Sequence, residues 1–551
     1  MTPRVITMDI TPTAFIPKRV RIVVIGAGIS GIQFLKDATT RLSNVDITVY
    51  DKNGLEGGTW AENRYPGCAC DIPSHAYQYS WNPNPHWSRL YAEAPEILGY
   101  LQSTVDKFNL RQYMKFNTRC TGATWDEESS QWAVSLQKKD GPSFEVTCDV
   151  FVSAVGRLNN WQLPQVEGIE LFEGQLIHTA NWPRDYDFSG KDVAVIGNGA
   201  SGVQCVAAMS NDVKSLDNFI RGPTWLVPHV FSSNGEPQVI YPEELMEEFV
   251  NKPKAYFDFR LKLEKQLAAT FKGLWTNSQT AEDFTSRARN HMSQKINDPQ
   301  TLEALLPTDY KAGCRRFTPA DKYMEALNQP HINVVASPID HVAGRAIYSS
   351  DGRRREYDAV VCGTGFEPYK PRFPIVGRNG VDLAEKWSDT GNYESYLAAT
   401  VAEFPNFFVF NPPTCPVNGS AYPGIERSSE YMAKVIDRLQ TDRLKSICVK
   451  PCAQAAFNDW VQSRMPEMVW SQACSSWYKD PNGRVIVPWP GTILHYYAAT
   501  EIVRWEDYDL MFDDEAQKYA SFGNGVTWEG FQPEMLPWLE ESCVLKAECR
   551  L

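Results

Sequence analysis

Two glycine-rich segments in this chain have the residue types and spacing to hold phosphate. Gly26-Ala-Gly28-Ile-Ser-Gly31 follows the apolar run Val20-Arg-Ile-Val-Val-Ile25, and Gly197-Asn198-Gly199-Ala-Ser201-Gly202 follows Val193-Ala-Val-Ile196. In each, the first glycine permits a tight turn from strand into helix, the second lets the backbone approach a pyrophosphate, and the third lets the helix lie close to the strand. Unpaired N–H groups at the helix start then face the phosphates. The residues that follow the loops differ in charge. Asp51 lies 20 residues beyond Gly31, at the end of the run Asp46-Ile-Thr-Val-Tyr50; a carboxylate there accepts a ribose hydroxyl but repels a 2′-phosphate. Arg221, followed by Gly222, lies 19 residues beyond Gly202, and a guanidinium can fork onto a 2′-phosphate. The expectation is FAD at the first loop and NADPH at the second, with Ser201 and Gln204 in the second helix beside NADPH.

These loops need two doubly wound sheets to carry them, and 551 residues is too long for one core. The fold class expected is α/β, two Rossmann-like dinucleotide-binding domains with a helical insertion in the second. Residues 1–158 and 368–551 are assigned to the FAD domain, 159–230 and 312–367 to the NADPH domain, and 231–311 to the insertion. In that insertion Phe259, Leu263, Leu267 and Phe271 recur every four residues, the mark of an amphipathic helix. The runs Cys148–Gly156 and Tyr357–Phe366 read as strands after which the chain crosses between domains. A net charge of −13 argues against a nucleic-acid surface. Thirteen Cys, an odd number without a Cys-x-x-Cys pair, suggest neither a disulfide framework nor a metal site, and a reducing compartment. No apolar run is long enough to cross a membrane. A cytoplasmic protein is expected, with a peroxisomal alternative because the chain ends Cys549-Arg550-Leu551, a loose relative of Ser-Lys-Leu.

Three further segments carry a resemblance. Phe172-Glu-Gly174-Gln-Leu-Ile-His178-Thr-Ala-Asn-Trp182-Pro183, just before the second glycine loop, resembles the fingerprint of the type I Baeyer–Villiger monooxygenases. Gly57-Gly-Thr59-Trp60-Ala-Glu-Asn-Arg-Tyr65-Pro-Gly67-Cys-Ala-Cys-Asp71 is similar to that family's second signature, and Gly313-Cys314-Arg315-Arg316-Phe317 to its Cys-Lys-Arg element. The resemblance implies an enzyme in which NADPH reduces the flavin, O2 reacts with it, and one oxygen atom is inserted beside the carbonyl of a ketone. It implies that Thr59, Trp60, Tyr77 and Asp71 border the flavin, that Arg315 is a second grip on the 2′-phosphate, and that Arg316, paired with Asp71, stabilises developing negative charge. His178 is assigned a role coupling domain movement to the cofactors, not acid–base chemistry. The chain departs from the family at Ala69, where many members carry Arg.

The competing expectation is an N- or S-hydroxylating flavin monooxygenase of the same superfamily, which shares the glycine loops but usually lacks Trp182-Pro183 and the Asp71–Arg316 combination. A flavin- and NADP-binding redox sensor is the non-enzymatic one. The segments Thr414–Asn418, Cys474–Tyr478 and Pro488–Gly491 are aromatic and nearly uncharged. By analogy with the family they border the substrate cavity, which suits an apolar ketone, aliphatic or cyclic. Oligomeric state is not readable.

Overall fold

Strands buried within a parallel sheet are rich in Val and Ile, and VRIVVI, DVAVI and AVVC supply such strands to two parallel sheets here. The computed structural model describes residues 11, 13–229, 231, 238–388, 392–512, 514, 516 and 518–527. Strands β1 (Val20–Ile25), β2 (Val45–Tyr50), β3 (Met114–Lys115) and β4 (Val150–Ser153) belong to the first sheet; β5 (Gln175–His178), β6 (Asp192–Ile196), β7 (Ser215–Phe219), β8 (Ile332–Val335) and β9 (Ala359–Cys362) form the second. A late strand, β10 (Phe407–Val409), returns to the first. The spatial orders are β10-β4-β1-β2-β3 and β8-β7-β6-β9-β5. Every pairing within them is parallel. The chain therefore crosses from the first sheet to the second after β4 and back again after β9, as the two short apolar runs suggest.

Helix α1 (Ile29–Arg41) follows β1, and α2 (Ala200–Met209) follows β6. Between β7 and β8 the described residues form five α-helices, α3 (Glu243–Asn251), α4 (Pro253–Ala269), α5 (Gln279–Lys295), α6 (Pro299–Leu305) and, after the insertion, α7 (Asp321–Ala326). The spacing of four in the sequence is realised along α4, where Leu263 and Leu267 are buried, and Phe271 continues the stripe in the next turn. Burial of each such side chain stabilises the packing by roughly 1.5–3 kcal/mol. The insertion is anchored to the first half of the chain through His75. That imidazole is 1% exposed, ringed by Tyr241, Phe249, Tyr256 and Phe259 at 5.1–5.5 Å between centroids, with Nδ1 3.1 Å from the Tyr256 hydroxyl. Burial, aided by the Arg260 charge, pushes its pKa down to about 3.

The expectation that the cysteines form no disulfide is overturned. Cys314 and Cys474, 160 residues apart, are bonded, with 6.2 Å between their Cα atoms. Cys68 and Cys70, by contrast, are free, buried thiols, as their single-residue separation implies. Among the described residues no helix is long and apolar enough to cross a membrane. The terminal Cys549-Arg550-Leu551 lies outside the described residues.

Candidate active site

The first glycine loop opens onto a cleft of about 410 Å³ lined by Gly26, Gly28, Asp51, Thr59, Trp60 and Tyr77, among others. Helix α1 starts at Gly28 with no side-chain cap and no acid in its first turn, so its leading N–H groups are left for an anion. A Cβ on Gly31 would lie 1.9 Å from the Gly26 carbonyl oxygen, so only glycine allows the helix to sit this close to its strand. The Asp51 carboxylate accepts the N–H of Ala27 at 2.7 Å and of Asn53 at 2.8 Å. Burial pushes its pKa up and those two N–H groups pull it back. Trp60 is buried edge-on to Tyr77, 5.6 Å between centroids.

The second loop repeats the plan. Helix α2 starts at Gly199, again with no side-chain cap and no acid in its first turn. A Cβ on Gly199 would meet no atom within 4 Å, so the space over the loop is free for a ligand. Asn198 Nδ2 donates to the Gly222 carbonyl at 2.9 Å, holding the turn with the exposed Arg221 against the loop. Arg315 reaches the same turn and donates to the Pro223 carbonyl at 3.3 Å. Two cations 94 residues apart in the chain thus meet at one turn, and no ion pair engages either among the described residues. Gln204 joins the two halves: its Oε1 accepts the Tyr65 hydroxyl at 2.8 Å and its Nε2 donates to the Ala69 carbonyl at 3.1 Å.

Between the loops lies a guanidinium–carboxylate fork. Arg316 donates from Nε to Asp71 Oδ2 at 2.9 Å and from Nη2 to Oδ1 at 2.6 Å. The Asp71 charge holds Arg316 well above the ordinary guanidinium range, although burial works against it. The pair stands where two spaces meet, because both residues line the flavin-side cleft and also a second cavity of about 140 Å³. That cavity is walled chiefly by Leu267, Leu274, Phe284, Phe317, Trp470 and Tyr478. A fixed positive charge thus faces an apolar chamber on one side and the cleft on the other.

Comparison with known proteins places the chain in a family. The Flavin-binding monooxygenase-like family matches residues 18–274. An FAD-binding monooxygenase, moxY, of Dothistroma septosporum is 38% identical over 93% of this chain and 82% of its own length. A Baeyer–Villiger monooxygenase of Streptomyces coelicolor is 34% identical over 93% of this chain and 96% of its own. The chain belongs to the flavin-dependent Baeyer–Villiger monooxygenase family. The crystal structure of cyclohexanone monooxygenase from Rhodococcus sp. Phi1 bound to NADP+ superimposes with a TM-score of 0.78 at 27% identity, covering 90% of this chain and all of that one. FAD and NADPH are accordingly the cofactors of this Baeyer–Villiger monooxygenase, and the uncapped helix starts, the open space at Gly199 and the Arg221–Arg315 turn fit them.

The family fingerprint runs through β5, an edge strand of the second sheet. Phe172 is buried and Gly174 leads into β5. His178, at the end of β5, accepts the Ala180 N–H on Nδ1 at 3.1 Å and stacks on Trp161 at 4.9 Å. Burial pushes its pKa down to about 4, against a smaller opposing pull from the Gly365 backbone, so the ring is neutral near pH 7. Trp182 stacks on Phe188 at 5.2 Å, with Pro183 next in the chain.

The aromatic C-terminal segments divide. Val417, Asn418 and Tyr478 line the apolar cavity and Trp477 the flavin-side cleft, but Pro488–Gly491 corrects the sequence reading. Trp489 there is 2% exposed and packs on Phe457 and Tyr496 in the core. One cleft residue escaped the sequence reading altogether. Arg157 lines the flavin-side cleft, donates to Cys415 Sγ and lies over the Trp477 ring at 5.2 Å; only its place just after a strand-end glycine could have flagged it.

Proposed function

We propose that the chain oxidises apolar ketones to esters or lactones with NADPH and O2, and that the Asp71–Arg316 fork is the centre of the reaction. The observation that carries the reading is the position of that fork, shared by the flavin-side cleft and the apolar cavity. The Gly26–Gly31 loop and α1 would hold the pyrophosphate of FAD, Asp51 its ribose, and Thr59, Trp60 and Tyr77 would border its ring. The Gly197–Gly202 loop with Asn198, Ser201 and Gln204 would hold NADPH, and Arg221, Gly222 and Arg315 would receive its 2′-phosphate. Bound FAD, once reduced by NADPH, supplies the oxygen-transfer chemistry.

The protein supplies placement and field. A ketone in the cavity gains negative charge on its carbonyl oxygen as oxygen is inserted, and Arg316 faces that charge without any proton leaving the guanidinium. A preorganised donor of this kind typically contributes about 3 kcal/mol. Asp71 is the positioning residue: it occupies two Arg316 N–H groups, fixes the plane of the guanidinium and offsets part of its charge while no substrate is bound. The hydroxylating alternative needs no such anion partner. A net charge of −13 supports small-molecule partners over nucleic acid.

The test is a ketone panel. Purified protein should show ketone-stimulated oxygen uptake matched by NADPH oxidation, and an ester or lactone carrying one atom from labelled O2. Sulfoxide or N-oxide as the sole product, with ketones inert, would overturn the reading.

A further inference from the structure

One cation at the apolar cavity is left over once the cofactors and the fork are accounted for. Arg287 lines the cavity from α5. It is exposed, and among the described residues it has neither an ion pair nor a hydrogen bond. The other Arg and Lys side chains of α5, and Lys311 beyond it, are engaged. Arg289 lies over the Trp225 ring at 5.6 Å, Lys295 reaches Glu325 at 3.3 Å, and Lys311 is bonded to Glu282. The carboxylate best spaced to take Arg287, Asp283 one turn earlier, accepts Gln279 Nε2 at 2.9 Å instead. Arg316 is bound to Asp71, and Arg315 turns to Pro223.

Where Arg287 stands relative to the reaction follows from its helix. Phe284, three residues earlier and hence on the same face of α5, meets the Phe317 ring at 5.9 Å, and Phe317 is the neighbour of Arg316. Arg287 thus shares the cavity with the fork and stands one helical turn from the Phe284–Phe317 ring pair. A purely apolar ketone has no use for a guanidinium there. A ketone with a remote anionic end would use it, its body against the aromatic and aliphatic wall and its carbonyl at Arg316.

We propose that Arg287 is a specificity-determining residue that binds a carboxylate at the end of the substrate remote from the carbonyl, so that the preferred substrate class is apolar keto acids. The proposal rests on the ketone reading of the preceding section and narrows it. A guanidinium that meets a carboxylate beside apolar walls makes a charge-assisted hydrogen bond of the stronger kind, corresponding to at least about tenfold in binding.

The experiment compares para-acetylphenylacetate, homologues with longer methylene spacers, and the primary amide of each, on the holoenzyme and on Arg287→Gln and Arg287→Glu. Ketone-stimulated NADPH oxidation with ester detection gives kcat and KM. Perturbation of the flavin absorbance under anaerobic, oxidised conditions gives binding without turnover. The expected result is an acid-over-amide preference of at least about tenfold in KM and in binding, weakening with salt. Arg287→Gln should abolish this preference and Arg287→Glu invert it. An equal ratio in native and variant protein, or a rise confined to the KM for NADPH, would overturn the assignment, the latter by placing Arg287 on the cofactor. If no ketone turns over, the ketone reading fails, and the binding ratios still decide whether Arg287 holds a carboxylate.

Discussion

Arg316→Ala should separate cofactor chemistry from oxygen insertion. The fork comprises two charge-assisted hydrogen bonds, at 2.9 and 2.6 Å, and it aims one planar cation at the junction of cleft and cavity. Loss of a single preorganised donor to a developing oxyanion costs about 2.7–4 kcal/mol, or roughly a hundred- to a thousandfold in rate. The alanine variant should still contain FAD and still be reduced by NADPH, while ester formation falls by at least about a hundredfold. Arg316→Lys should recover no more than about tenfold of that, since one ammonium cannot span both Asp71 oxygens and also face the ketone. Asp71→Asn should lie between wild type and alanine, because an amide still accepts one N–H but no longer fixes the plane. The assay is single-turnover: anaerobic reduction by NADPH, then mixing with oxygenated ketone and quantifying ester. Ester formation within about tenfold of wild type in Arg316→Ala would refute the argument, and the hydroxylating scheme would then be preferred.

Two other outcomes are expected. Arg221→Ala should raise the KM for NADPH by about tenfold or more, the scale of one charge-assisted contact, with little change for NADH; equal shifts would show that the turn does not read the 2′-phosphate. Stability should fall as pH drops below about 6.5, because His75 and His178 stay neutral in the fold, with pKa values pushed down to about 3 and about 4, while the unfolded chain takes up their protons. Each ring contributes roughly 1.4 kcal/mol per pH unit, His178 levelling off near pH 4. Burial raises the Glu264 and Glu426 carboxyls, which acts in the opposite sense, so the readout is the slope lost in His75→Asn by urea titration. An unchanged slope would contradict the assignment.

The parts of this site that were legible in the sequence are those set by local grammar. A strand, three glycines, a helix and a charged residue about twenty positions later fall within one βαβ unit, so both dinucleotide loops and their charges could be read from spacing alone. The Asp71–Arg316 pair spans 245 residues, and no periodicity connects its members; it became visible only through resemblance to a family. The Cys314–Cys474 bond was missed for the same reason, since parity and spacing say nothing about which distant thiols meet. Composition misled at Pro488–Gly491, because an aromatic, uncharged segment reads alike whether it walls a cavity or fills a core. Arg287 carries no sequence signal, because a cation on a helix looks the same whether or not its neighbours have partners of their own.

The Cys314–Cys474 bond also constrains how this enzyme can move. Cys314 directly precedes the two site arginines, and Cys474 begins the loop carrying Trp477 and Tyr478, so a covalent stitch ties the cationic edge of the chamber to its aromatic edge. In the chain-entropy picture, closing a loop of 160 residues disfavours the unfolded chain by about 5 kcal/mol. Its mechanical effect is more specific. Cα atoms held 6.2 Å apart cannot separate like the jaws of a clamp, so the arginine segment and the aromatic segment stay joined at that point through any motion of the chamber.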